Sequence, residues 1–129
     1  MAMKIKSKND LADREAYEDN KLSARSDDVV LRAEIAARDD VEPEILYYLT
    51  EDSSPIVRSN IAGNPLTPVQ ANVLLTQDED DDVRMELARK ICRLLPDISA
   101  PETVDLLAQT IEVLEMLAKD KLAAVRAIL

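Results

Sequence analysis

The sequence predicts an all-α protein built from repeated helix pairs, and three observations carry that expectation. The first is a recurring Val-Arg block: Arg32, Arg58 and Arg84 are each spaced by 26 residues. A fixed period of this size marks stacked supersecondary units. The second is the kind of apolar residue present. The 129 residues are 47% apolar yet include no Phe or Trp, three Tyr and one Gly, Gly63. Leu, Ala, Ile and Val must fill the core; Leu and Ala favour helices, and one glycine leaves little material for tight hairpins. The third is punctuation, because Pro and capping residues recur at the intervals that short helices need.

The copies align beyond the arginine. Val30-Leu31-Arg32-Ala33-Glu34-Ile35-Ala36 matches Ile56-Val57-Arg58-Ser59-Asn60-Ile61-Ala62, and both match Asp82-Val83-Arg84-Met85-Glu86-Leu87-Ala88. A fourth copy, Ala124-Val125-Arg126-Ala127-Ile128-Leu129, follows after a gap of 42 residues. Six positions before the later arginines stand Asp52, Asp78 and Asp120, and three before each Asp stands Leu49, Leu75 or Leu117. The first copy is degenerate, with Ser26 at the Asp position. Helices are expected near 9–21, 27–38, 43–51, 55–63, 68–77, 81–95, 100–118 and 121–129. Gly63-Asn64-Pro65 should end one of them, with Gly63 in the left-handed position. Thr67 should cap the next with Pro68 at its first position, Ser54-Pro55 should repeat that device, and Ser99 with Glu102 reads as a capping box. In helix 81–95, Val83, Leu87, Ile91, Leu94 and Leu95 define an apolar face. Helices this short are marginal alone and need stacked neighbours. Residues 1–22 read as a tail and capping helix, and residues 23–129 as the repeat domain.

Composition also narrows function. A net charge of −10 disfavours nucleic acid, which needs clustered Lys and Arg, and the sequence lacks aromatic stacking platforms. No apolar run approaches a membrane span, and the basic Met1–Lys8 lacks the apolar stretch of a signal peptide. The lone Cys92 excludes an intramolecular disulfide and fits the reducing cytoplasm.

The pattern Leu-x-x-Asp followed by Val-Arg-x-x-(Ile/Leu)-Ala resembles HEAT-like repeats. Asn64-Pro65-x-Thr67-Pro68 with a period of 26 is similar to the leucine-rich-repeat-variant subtype. The stretch from Val83 through Leu94-Leu95-Pro96 to Leu117-Ala118-Lys119-Asp120 resembles the N-terminal part of an uncharacterised bacterial domain family. Over residues 23–129 the resemblance implies a right-handed α-solenoid of about seven to eight helices, roughly three and a half pairs. It also implies a ladder in which Asp52, Arg58, Asp78, Arg84, Asp120 and Arg126 link successive repeats. Members of that family are longer than this chain, and the last copy stops at Leu129 inside an expected helix. The domain is therefore expected to be truncated at its C-terminus.

The remaining candidates have bland readings. Asp78-Glu79-Asp80-Asp81-Asp82 alternates carboxylates, but an EF-hand loop needs Gly and Glu where Val83 and Arg89 stand. Acids at the positive end of helix 81–95 explain the run. Cys92 reads as a small core residue. With one Cys and no His, iron–sulfur, zinc and His-dependent triads are all unsupported. No cofactor, metal or catalytic residue is expected. Of Tyr47 and Tyr48, one should pack against Ile45, Leu46 or Leu49 and the other face out. The second helices of the pairs should line one side, which makes Glu44, Tyr48, Gln70, Asn72 and Gln109 candidate contacts. The expected role is a non-catalytic, cytoplasmic scaffold or adaptor for another protein with a basic surface, with no nucleic-acid or membrane partner. The rivals are an acidic DNA mimic that regulates a basic protein, and an accessory subunit or domain of an enzyme.

Overall fold

The computed structural model describes residues 8–95 and 104–129, which form eight helices and no strand. The capping box expected at Ser99 with Glu102, and the helix start expected near residue 100, fall outside the described residues.

Helix starts follow local chemistry. After α1 (Lys8–Ala24), α2 (Val29–Ala37) begins where the Asp28 carboxylate accepts the Val30 amide at 3.0 Å. α3 (Pro43–Leu49) and α4 (Pro55–Gly63) each place proline in the first turn. Proline also holds the preceding residue extended, as Glu42 and Ser54 are. α5 (Val69–Leu75) follows. Asp80 opens α6 (Asp81–Leu94) by accepting the amides of Asp82 at 2.8 Å and Val83 at 3.2 Å. α7 (Val104–Ala118) and α8 (Ala123–Ile128) complete the chain. Helices α3 and α5 end alike. Their C-caps, Thr50 and Thr76, are buried, and each hydroxyl donates to a carbonyl in the last turn, Leu46 at 3.0 Å and Val73 at 2.6 Å.

The even-numbered helices form one row, in which α2, α4, α6 and α8 pack in chain order. α1 packs on α3 and α5 on α7, and the odd-numbered helices also pack on even-numbered neighbours in the chain. The repeat positions supply the core. Val57, Val83 and Val125, each just before its arginine, are completely buried, as are Ile61, Leu87, Ala62 and Ala88 one turn later. Leu49, Leu75 and Leu117, three residues before each Asp, are buried too. Each large aliphatic side chain removed from water contributes about 1.5–3 kcal/mol, so this one periodic set holds the helices together. No helix among the described residues is long and apolar enough to cross a membrane.

Three expectations need correction. Gly63 does not adopt a left-handed conformation; it is the last residue of α4. The exit is made by Asn64, whose φ of −78° and ψ of 120° are those imposed on a residue preceding proline. Thr67 is not an N-cap. Pro68, with ψ of 147°, occupies that position, and the Thr67 hydroxyl donates instead to the Ile61 carbonyl at 2.8 Å. Leu95 does not join the buried face of α6 and is exposed at its end.

A Cβ on Gly63 would meet Glu86 Oε2 at 3.6 Å, an ordinary contact. Gly63→Ala should therefore stabilise the protein by about 0.5–1 kcal/mol, mainly by restricting the unfolded chain. A lower urea midpoint for the variant would contradict this.

Candidate protein-interaction surface

Three arginines join the even row through one repeated contact. Arg32 Nε donates to Asp52 Oδ2 at 2.8 Å and its Nη2 to Oδ1 at 3.3 Å. Arg58 meets Asp78 at the same two distances, and Arg84 meets Asp120 at 2.8 and 3.4 Å. The carboxylate thus belongs to the following repeat. The third guanidinium nitrogen, Nη1, turns back to the carbonyl six residues earlier: Ser26 at 2.8 Å, Asp52 at 2.8 Å and Asp78 at 2.6 Å. Arg126 makes that backward bond to the Asp120 carbonyl.

Each Asp also closes its own turn. Asp52, Asp78 and Asp120 accept the amides of Ser54 (2.9 Å), Asp80 (2.9 Å) and Leu122 (2.8 Å). At the degenerate first position the Ser26 hydroxyl takes this turn-closing bond from Asp28 at 3.1 Å. One carboxylate therefore fixes a turn and receives a rung, a charge-assisted bidentate geometry that is stronger than a neutral pair.

Burial deepens along the series. The arginine side chains are 15%, 10% and 3% exposed at positions 32, 58 and 84. The bond to Asp78 raises the pKa of Arg58 against the opposing effect of burial. At Asp120, burial pushes the carboxyl up, but the Leu122 amide and Arg84 outweigh it and hold it below its ordinary value. Arg84 also pairs with Asp81.

A second column lies six residues after each arginine, and the sequence reading missed it. Asn64 donates to the carbonyls of Ala36 and Arg38, both at 2.9 Å, and so completes the end of α2. Lys90 repeats the contact one unit on, donating to the Asn64 carbonyl at 3.1 Å and to Asn72 Oδ1 at 2.6 Å. Arg38, at the first such position, reaches Asn20 Oδ1 at 3.4 Å, the same 18-residue separation as Lys90 to Asn72. Lys90 is 1% exposed, and among the described residues its ammonium donates to neutral oxygens alone. Burial, with a smaller effect of Arg93, lowers its pKa from 10.5 to about 7.

These contacts reassign several residues. Asn72 is not on a free surface; it is 4% exposed and bonded to Lys90. Tyr47 and Tyr48 do not divide between core and solvent, since both are exposed, at 44% and 57%. The inward positions of α3 belong to Ile45, Leu46 and Leu49. Cys92 is half-buried rather than fully in the core, and its thiol donates to the Ile128 carbonyl at 3.4 Å. Glu44 and Gln70 are exposed and share a shallow cleft with Pro43, Tyr47 and Pro68, whereas Gln109 is half-buried. An open groove of about 640 Å³ adjoins it, lined by Glu44, Tyr47, Tyr48 and Glu51 and floored by the Arg32–Asp52 rung. In the acidic run, Asp78 receives a rung, Asp80 caps α6 and Asp81 pairs with Arg84.

Comparison of the chain with protein-family models, with curated proteins and with solved structures found no match in any of the three.

Proposed function

We propose that the chain forms a right-handed, HEAT-like α-solenoid that works as a non-catalytic, cytoplasmic scaffold for another protein. The observation that carries this reading is a division between two kinds of polar residue. The repeated polar positions are consumed by internal contacts: the arginines and aspartates as rungs, Asn64 and Lys90 as caps, with Asn72 accepting from Lys90. Glu44, Tyr47, Tyr48 and Gln70 are exposed together around clefts. Exposed Tyr supplies rigid contact area at interfaces. The net charge of −10 favours a basic partner surface and speeds encounter with it.

Immobilised protein incubated with lysate of the source cells should retain one or a few proteins in near-stoichiometric amount. A heat-denatured sample of the same protein serves as the control. Recovery of background alone would count against a scaffold.

A further inference from the structure

We infer that Tyr17, Tyr47, Tyr48 and Glu44 form a recognition site for an arginine side chain carried on an exposed segment of a partner protein. The inference rests on the scaffold reading and names the chemistry of its surface.

The starting observation is where the aromatic residues lie. The chain has three: Tyr17 is half-buried and packs against the edge of the core, whereas Tyr47 and Tyr48 are exposed. Large rings normally dominate core energetics, so the exposure of Tyr47 and Tyr48 calls for another use. All three gather around one carboxylate. The Tyr17 hydroxyl donates to Glu44 Oε2 at 3.0 Å. Tyr48 lines a cleft with Tyr17 and Glu44, Tyr47 lines another with Glu44 and Gln70, and both line the 640 Å³ groove with Glu44 and Glu51.

Ring faces attract cations, and the chain displays that attraction itself: Lys21 Nζ sits 5.8 Å from the Tyr17 ring centroid. The charge balance of the groove points the same way. Arg32 and Asp52 on its floor neutralise each other, leaving Glu44 and Glu51, with Glu18 and Glu42 near Tyr17, against Arg25 and Lys21. Arginine suits the site better than lysine. A planar guanidinium stacks on a ring and donates two parallel N–H groups to a carboxylate, whereas an ammonium is a strongly hydrated point charge.

The sequence provides its own reporter. With no Trp present, the intrinsic fluorescence comes from these three tyrosines. Acetylated, amidated hexa-arginine titrated into the intact chain at about 0.15 M salt, where long-range attraction is screened, should change that emission saturably. Hexalysine should bind more weakly. Tyr48→Ala and Glu44→Gln should each weaken hexa-arginine binding about three- to ten-fold. Glu112→Gln, an exposed acid on α7, should leave it unchanged. Absence of saturable binding, equal affinity for the two peptides, or an equal loss from Glu112→Gln would each overturn the site. A lysate protein retained equally by wild type and by the Tyr48→Ala/Glu44→Gln double variant would overturn the site and leave the scaffold standing. Peptide binding that depends on Tyr48 and Glu44, with no protein retained from lysate, would support the site and count against the scaffold.

Discussion

Replacing Arg84 with alanine should destabilise the protein by about 3–5 kcal/mol, the usual cost of removing one partner from a buried ion pair. The loss is large because one guanidinium serves three places at once. It pairs with Asp120 across the repeat boundary, with Asp81 beside it, and with the Asp78 carbonyl behind it. Removing it leaves Asp120, itself buried, without its bidentate donor. Arg84→Lys should restore little, because a single ammonium cannot span the carboxylate and the backward carbonyl together. Arg58→Ala should cost less, in keeping with its greater exposure. Urea unfolding of the three variants checks the order, and an Arg84→Ala midpoint equal to that of wild type would refute it. Acid should act on the same rung. The pKa of Asp120 is lower in the folded state than the ordinary 3.8, so its contribution is complete above that value. It is lost as the pH falls through the folded value.

The second large effect concerns Lys90 and appears as a pH slope. Its folded pKa is about 7 against an ordinary 10.5. Between those values the unfolded chain holds a proton that the folded chain has released, so stability should rise with pH. Below about pH 7 the burial penalty acts in full, and above 10.5 it is gone. Across the window the difference is on the order of a few kcal/mol. The oxygens of Asn64 and Asn72 solvate the ammonium in place of water and pull toward the smaller end of that range. Lys90→Met should flatten the slope between pH 7 and 10. Leaving two oxygens without a donor shifts that variant at every pH and does not alter the slope. Parallel stability curves for wild type and Lys90→Met would show that the buried lysine stays charged throughout.

The recurrence of Arg and Asp in fixed phase was legible in the sequence, and the family resemblance implied a ladder, but that ladder left out Arg32, which makes the first rung, and included Arg126, which makes only the backward bond. The second column shares that period, yet Arg38, Asn64 and Lys90 have no chemistry in common beyond a donor at the tip. A search for repeated identity passes over it, whereas a search for repeated hydrogen-bond capacity would have found it. Asn72 was misassigned because one side of each second helix was taken as open, although Lys90 from α6 reaches into α5. Tyr47 and Tyr48 were misjudged for a related reason. An aromatic pair suggests one buried ring, but the inward positions of α3 are already filled by Ile45, Leu46 and Leu49. Gly63 misled because glycine at a helix end usually turns left-handed, and here Pro65 decides the exit one residue later.

The last rung differs from the others in what it encloses. Arg84 and Asp120 lie 36 positions apart, where the earlier pairs lie 20 apart, and the bond lengths hardly change. The fastening is therefore indifferent to the length of chain it spans. Fastener and spacer can vary independently, so a lineage can lengthen one unit, or a designer can splice in a foreign segment, while the joint to the next unit keeps its geometry.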